Sequence, residues 1–284
     1  MTIGAEQLEG LKAAIGRGAE AADTVTPRLI DAFRATLEPH LAPQPEGTAP
    51  LGIHWCLAPQ LAPMSRLGRD GHPAENELGF APPLPRRMWA GGALHFRAPI
   101  LRGGEVIRRS TFADVSAKVG RSGPLCFVTL RHDYLAEGVV ALSERQDLVY
   151  REDASAAAAR AADDTHARPA AEIEWRLTPD PVLLFRYSAL TFNGHRIHYD
   201  EPYAREVEGQ DGLLVHGPLQ ATWLLNIAAT LAGSCPRRLD YRLLAPLVCG
   251  RACTVVAWRS GTGALEGTIQ DDAGRTTASA KAEW

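Results

Sequence analysis

The pattern of apolar and polar positions changes character along the chain. From Gly92 to Arg151, apolar residues alternate with polar ones in four runs separated by turn residues, which predicts a meander of antiparallel strands. Near the C-terminus, four further runs (LDYRLLAPLV, ACTVVAWRS, ALEGTIQDD and TTASAKAEW) have the same texture. Between these two regions lies GPLQATWLLNIAATLAG, a segment that is apolar nearly all round and therefore predicts a buried helix.

The N-terminal region predicts one amphipathic helix and a long loop. Thr26 and Pro27 suit the N-cap and first positions of a helix that ends before Pro39. The short apolar segment 52–61 is either a strand or a degenerate buried helix. Residues 62–88 are rich in proline and glycine but also in large apolar side chains, so we expect an ordered loop that covers a pocket.

The two halves repeat one plan. Each half predicts a helix that is followed or enclosed by antiparallel strands, which is an α+β arrangement. The chain would therefore contain two copies of this arrangement, and the helix of the first copy would be degenerate. Residues 154–170 are alanine-rich and lack large apolar side chains, which indicates a linker. The predicted organisation is a domain over 1–153, a linker over 154–170 and a second domain over 171–284.

Composition and charge exclude several classes of protein. The 284 residues carry 30 basic and 33 acidic side chains, a net charge of −3 that argues against nucleic acid or an anionic membrane as partners. The five cysteines show no metal-binding CxxC spacing. We find neither a signal-peptide pattern nor an apolar run of about 18 residues, so we expect a cytoplasmic protein.

Polar groups able to do chemistry are densest between residues 185 and 224. An apolar run, Val182 to Tyr187, predicts a strand that leads into them. His198 is the best general acid or base, because an unperturbed histidine titrates near neutrality. Asn193 cannot take a proton but can hold a water molecule or orient a substrate. His195 is either a ligand-facing or a structural group, and Asp200 suits a helix N-cap.

The start of the buried helix offers a second kind of group. The backbone N–H of Gly217 is free to polarise a carbonyl oxygen, aided by the helix dipole, although a glycine there could also serve close packing. His216 could line the site or bond to a neighbouring strand. A metal held by His195, His198, Asp200 and His216 was weighed, but their spacing matches no familiar zinc pattern, so we expect none.

The run TFNGHRIHYDEPYA, followed by LLVHGPLQATWL, resembles the hydratase signature of MaoC-like dehydratases and (R)-specific enoyl-CoA hydratases. The signature histidine falls on His198 and the helix-entry glycine on Gly217. The chain departs from the signature at three positions, with Asn193 for aspartate, His195 for asparagine and Arg196 for proline. The runs RMWAGGALHFRAPI, GRSGPLCFVTLRHDY and YRLLAPLV resemble a subgroup with two hotdog domains in one chain.

The resemblance implies a double hotdog fold, two antiparallel sheets that each wrap a central helix, with one active site per chain. It implies a C-terminal domain that supplies the catalytic residues and an N-terminal domain that shapes the pocket for the acyl chain and CoA. The subgroup includes hydratases of mesaconyl-, 3-methylfumaryl- or itaconyl-CoA and the mitochondrial (R)-3-hydroxyacyl thioester dehydratases. The implied reaction adds water reversibly across the C2–C3 double bond of an enoyl-CoA, with no cofactor, in an oligomer such as a dimer.

Two hypotheses follow from the departures. His198 transfers the proton while Asn193 positions the water. Arg196 binds the free carboxylate of a branched dicarboxylyl substrate, with a solvent-facing loop charge as the alternative. The rival functions are a dehydratase of fatty acid synthesis, and a thioesterase-like or non-catalytic hotdog protein that binds acyl-CoA.

Overall fold

The computed structural model describes residues 5–81, 83–120, 123–152 and 169–284. The predicted linker, except its last two residues, lies outside these ranges. The division into domains at residues 153 and 171 therefore stays a prediction.

Within these ranges, ten antiparallel strands form one continuous sheet in the order β1-β3-β4-β5-β2-β7-β10-β9-β8-β6. In chain order they are β1 (Gly18–Thr24), β2 (Arg86–Phe96), β3 (Glu105–Gly120), β4 (Gly123–Ala136), β5 (Val139–Arg151), β6 (Ile173–Leu177), β7 (Arg238–Leu243), β8 (Cys253–Gly261), β9 (Ala264–Asp271) and β10 (Thr276–Glu283). All eight strand runs predicted from the alternation are present.

The two predicted sheets are joined edge to edge. β2 of the first half pairs with β7 of the second, from Gly91 opposite Arg242 to His95 opposite Arg238. This pairing corrects the expectation of two separate sheets, while each half keeps its own antiparallel set of strands. The junction matters for the site because the strands on both sides of it face the same cavity.

The described residues also form four α-helices: α1 (Ala5–Lys12), α2 (Pro27–Leu37), α3 (Pro181–Thr191) and α4 (Gly217–Ala232). Short 3-10 helices occupy Ile53–Cys56, Met64–Arg66 and Arg196–His198, and a π-helical turn occupies Tyr203–Val207. In the part of the chain that the structure describes, no helix is both long and apolar enough to cross a membrane.

α4 is the buried helix that the sequence predicts. It packs against β8, β9 and β10, and its Trp223, Leu225 and Ile227 are fully buried. Pro218 stands in its first turn, and Gly233 ends it in the left-handed conformation that glycine adopts without strain. The segment 52–61 forms the 3-10 helix Ile53–Cys56, which confirms the degenerate-helix interpretation over the strand.

The strand predicted over Val182 to Tyr187 is wrong, because these residues belong to α3. Asp180 caps this helix by accepting a hydrogen bond from the N–H of Leu183 at 2.8 Å, with Pro181 in the first position. Only Leu184 and Tyr187 are buried. Phe185 is 67% exposed and lies at the rim of the cavity. Its apolar side chain therefore faces the cavity and does not belong to a buried strand.

A buried asparagine fastens α4 to the N-terminal half. Asn226 accepts a hydrogen bond from the N–H of Ala42 at 3.0 Å and donates to the carbonyl of Leu51 at 3.1 Å. Its side chain is fully buried, so both backbone groups depend on it for a partner. The helix that opens at Gly217 is therefore fixed to the segment that leads into the covering loop.

We predict that Asn226→Leu lowers the free energy of unfolding by about 2–4 kcal/mol, because two buried backbone groups lose their partner. Urea unfolding followed by circular dichroism measures this difference. Thr230→Val is the matched control, since the Thr230 hydroxyl bonds only to the Asn226 carbonyl within the same helix. A loss at position 226 no larger than at position 230 would contradict this role.

Candidate active site

One cavity of about 710 Å³ runs between the two halves of the molecule. Asn193, His195, His198 and Gly217 line it from the C-terminal half. The N-terminal half contributes side chains of β2, β4, β5 and the covering loop. Residues of this predicted loop, among them Met64, Leu67 and His72, line the cavity as the sequence predicts, although Arg86 already begins β2.

The end of α3 delivers Asn193 to the cavity. Phe192 adopts the left-handed conformation, with φ 51°, and turns the chain out of the helix. The Asn193 side-chain oxygen then accepts a hydrogen bond from the N–H of His195 at 3.0 Å. This bond leaves the amide NH₂ of Asn193 as a donor toward the cavity.

His198 is held as a base. Its Nδ1 lies 2.7 Å from the carbonyl oxygen of Leu214, and because a carbonyl only accepts, the proton must be on Nδ1. Nε2 therefore carries a lone pair, and it has no hydrogen-bond partner among the described residues. Burial lowers the pKa of His198 to about 4, which keeps the ring neutral at pH 7.

His216 supports His198 from behind. The two imidazole rings stack with centroids 3.6 Å apart and an interplanar angle of 19°. His216 is fully buried and lies 2.8 Å from the Ser188 hydroxyl through Nε2. It lies outside the cavity lining, which places it behind His198 rather than against a ligand as predicted.

Gly217 opens α4 at the cavity wall. The side chain of the capping residue, His216, makes no hydrogen bond to the helix start within the described residues, and Pro218 has no N–H to give. The Gly217 N–H is thus free to bind a ligand oxygen at the positive end of the helix dipole. A Cβ here would lie 2.4 Å from Leu243, so the site also requires glycine for close packing.

Arg196 lies outside the cavity lining. Its guanidinium pairs with Asp200 at 2.7 Å and 3.0 Å, donates to the carbonyl of Arg69, and stacks over the ring of Tyr203. The carboxylate-binding role predicted for Arg196 has no support in this geometry. Asp200 accepts a hydrogen bond from the N–H of Tyr203 at 3.1 Å, as an N-cap does.

The covering loop docks through backbone contacts onto residues 193–198, which we call the catalytic loop. The N–H of Arg196 donates to the carbonyl of Asp70 at 2.8 Å. A Cβ on Gly71 would lie 1.9 Å from the carbonyl oxygen of Gly194, and Gly71 has φ +88°. The contact brings His72 against His195, with ring centroids 4.3 Å apart.

Asp70, His72 and His195 place three potential ligand atoms within 4.8 Å of one another. They differ from the set weighed from the sequence, because Asp200 is committed to Arg196. Asp70 is itself engaged, since it accepts hydrogen bonds from Nδ1 and from the N–H of His72, both at 3.0 Å. Burial lowers the pKa of both His72 and His195, and the charge of Arg87 lowers both further, so a positive charge already acts on this cluster.

The N-terminal wall carries a buried acid that the sequence analysis missed. Glu144 accepts hydrogen bonds from Trp55 at 2.9 Å and from the hydroxyl of Tyr134 at 3.3 Å. Burial raises its pKa to about 7. Nearby on the same wall, His132 contacts Ser110 and Gln146, and burial lowers its pKa to about 4.

The alternation of apolar and polar residues along β4 contains a signal for His132 and Tyr134. Cys126, Val128, Leu130, His132 and Tyr134 occupy every second position of β4 and form its buried face. A histidine within such an apolar series must find polar partners inside the fold. The positions of Asp70 and His72 carry no comparable signal, because a proline-rich loop has no periodicity to place them. Arg87 lies at the start of β2, in a stretch that the sequence assigns to this loop.

Comparison with known proteins identifies the family to which the chain belongs. The model for hydroxyacyl-thioester dehydratase type 2 matches residues 52–249. This match spans the covering loop, the catalytic loop and α4. The chain belongs to this dehydratase family.

Similar proteins agree with this assignment. The chain is 42% identical over 218 residues to the mesaconyl-C(4)-CoA hydratase of Chloroflexus aurantiacus, covering 75% of this chain and 76% of that protein. A MaoC-like dehydratase of known structure superposes with a TM-score of 0.70 over 96% of this chain and 99% of that one, at 14% identity. A Mycobacterium tuberculosis protein described as having a double hotdog fold superposes with a TM-score of 0.58, at 15% identity, over 95% of this chain and 96% of that one. The double hotdog expectation is thereby confirmed.

We predict that Gly71→Ala lowers kcat/KM for a thioester substrate of this dehydratase about 100-fold, because the added methyl group separates the covering loop from the catalytic loop. Steady-state kinetics with a coupled spectrophotometric assay measures the loss. Gly10→Ala is the control, since a Cβ there has nothing within 4 Å. Equal activity of the two variants would contradict the docking contact.

Proposed function

We propose that this hydro-lyase adds water reversibly across the C2–C3 double bond of a branched dicarboxylyl-CoA such as mesaconyl-, 3-methylfumaryl- or itaconyl-CoA. The observation that carries the proposal is the fixed tautomer of His198, which presents a bare Nε2 in the cavity lined by the free N–H of Gly217. The named activity of the Chloroflexus relative supports the substrate class.

Each of the three groups has one role in this reaction. The amide NH₂ of Asn193 donates a hydrogen bond to the water oxygen and holds it in place. His198 Nε2 removes a proton from that water as its oxygen bonds to C3. The thioester oxygen becomes an enolate oxygen, which the Gly217 N–H stabilises. The imidazolium of His198 then returns the proton to C2, so water has been added and the base regenerated.

Replacing the signature aspartate by Asn193 suits this division of labour. A carboxylate beside His198 would favour the imidazolium and raise the pKa of the ring. With the neutral amide, burial keeps the pKa of His198 low and its lone pair available at pH 7. We propose that a single histidine carries both proton transfers, without a metal or other cofactor.

The family name supports a second candidate, dehydration of a 3-hydroxyacyl thioester in fatty acid synthesis. The same three groups would run this reaction in reverse, with His198 removing the C2 proton. The acyl group distinguishes the two candidate substrates, since one carries a second carboxylate and the other carries a long alkyl chain. We further propose that the enzyme acts on acyl-CoA in the cytoplasm as a homodimer.

A panel of enoyl-CoA thioesters tests the function, with loss of enoyl absorbance as the readout for hydration and free thiol as the readout for hydrolysis. We expect turnover of a branched dicarboxylyl-CoA without thiol release. His198→Ala should lower kcat by a factor of about 10³ or more, because it removes the base. Release of free CoA, or near-normal turnover by the variant, would overturn the proposal.

The pH dependence follows from the pKa of His198. The neutral ring is the active form, and its pKa is lowered to about 4, so kcat/KM should stay level from pH 8 to about 5 and fall only below that. A pantetheine thioester avoids the ionising phosphates of CoA, and circular dichroism confirms that the protein is folded at each pH. Half-maximal activity near pH 6.5, the value for an ordinary histidine, would contradict a buried base.

A further inference from the structure

Three arginines line the cavity, and two of them are neutralised. Arg86 is buried and pairs with the Glu208 carboxylate at 2.6 Å and with its carbonyl at 2.7 Å. Arg108 pairs with both carboxylate oxygens of Glu77, at 2.7 Å and 2.9 Å. For Arg87, the structure shows neither a hydrogen bond nor an ion pair from its guanidinium to another described residue.

Arg87 lies on the same face of β2 as Trp89, because side chains two apart on a strand point the same way. The two positions are separated by roughly 7 Å along the strand. Trp89 in turn borders the start of α4, since a Cβ on Gly217 would lie 3.4 Å from the Cβ of Trp89. Arg87 is therefore separated by Trp89 from Gly217, whose N–H would bind the thioester oxygen.

The immediate surroundings of Arg87 favour an anion. Desolvation lowers the pKa of both His72 and His195, and the charge of Arg87 lowers both further. His195 Nε2 is buried without a hydrogen-bond partner in the described part of the chain, and His195 is only 6% exposed. A bound anion would neutralise the Arg87 guanidinium and accept a hydrogen bond from His195 Nε2, whereas the Nδ1–H of His72 is already donated to Asp70.

A metal ion is the competing occupant of this corner, because Asp70, His72 and His195 converge there. The Asp70 carboxylate is already used by two hydrogen bonds from His72. An unpaired guanidinium whose charge reaches all three residues would repel a divalent cation. The arrangement is therefore better suited to a carboxylate than to a metal.

We propose that Arg87, with His72 and His195 beside it, binds the free carboxylate of a dicarboxylyl thioester and so sets the acyl specificity. The inference rests on the hydratase function proposed above and assigns to Arg87 the role that the sequence suggested for Arg196. A guanidinium can bind the carboxylate through two parallel hydrogen bonds, and it does so here in a largely desolvated corner. Arg87 lies roughly 7 Å along β2 from Trp89, which borders Gly217, and this position fits an acyl carboxylate rather than the phosphates of CoA, which lie beyond the pantetheine arm.

The test compares mesaconyl-C(4)-CoA with 3-methylcrotonyl-CoA, in which a methyl group on C3 replaces the free carboxylate. We expect Arg87→Met to lower the ratio of kcat/KM values, dicarboxylyl over monocarboxylyl, about 100-fold or more, with the loss on the dicarboxylyl substrate appearing mainly in KM. Arg87→Lys keeps a positive charge without the planar fork and should recover part of the ratio.

Arg196→Met is the matched comparison, since Arg196 lies in the catalytic loop itself but outside the cavity lining. A fall in the ratio at position 196 and not at position 87 would overturn the proposal. Equal loss on both substrates in Arg87→Met would assign Arg87 to the CoA phosphates instead. Stoichiometric bound metal in the purified enzyme, with activity lost to a chelator, would also overturn it.

The activity of the wild-type enzyme distinguishes failure of the Arg87 assignment from failure of the proposed hydratase function. If the wild-type enzyme hydrates neither substrate, the proposed function fails. If it hydrates both and Arg87→Met leaves the ratio unchanged, only the assignment of Arg87 fails.

Discussion

The hydrogen bond from His198 Nδ1 to the Leu214 carbonyl is the interaction on which the proposed chemistry depends. It fixes the tautomer, turns the lone pair of Nε2 away from the backbone and ties the catalytic loop to the segment that leads into α4. Burial then keeps the ring neutral, and the stacked ring of His216 prevents it from tilting. Without this bond, a histidine in so apolar a place would have no defined direction for proton transfer.

The fold serves this arrangement by bringing three separate segments to one point. α3 ends at Phe192 and releases the catalytic loop, α4 begins at Gly217, and the covering loop closes over both through Gly71. The continuous sheet supports them from both halves, because β2 and β7 pair across the junction. Asn226 holds α4 to the N-terminal half, so the helix start and the cavity wall keep their distance.

The sequence predicted the parts of the molecule that depend on periodicity and local capping. The alternating strands, the all-round apolar α4 and the capped α2 are present where the pattern placed them. The strand predicted over Val182 to Tyr187 is wrong because the apolar run combines two core residues, Leu184 and Tyr187, with the exposed Phe185 at the cavity rim, and so imitates a buried strand. Two separate sheets were expected because no local pattern records a pairing between strands as far apart in sequence as β2 and β7.

Within the site, the sequence identified the groups that lie in one short loop and missed those brought in by tertiary contacts. Asn193, His195 and His198 do line the cavity, whereas Arg196 and His216 lie outside its lining. The sequence could not show that Asp200 forms an ion pair with Arg196. An arginine four residues before an aspartate could equally face solvent. Arg87, His72 and Glu144 reach the cavity only through the folding of the N-terminal half.

The central claim is that His198 is a neutral base whose proton resides on Nδ1. Nitrogen-15 NMR of the histidine side chains, assigned with the His198→Ala variant, measures this state directly across a pH titration. The ring assigned to His198 should show a protonated Nδ1 and a bare Nε2 at pH 7, unchanged down to about pH 5. An imidazolium at pH 7, or a proton on Nε2, would contradict it.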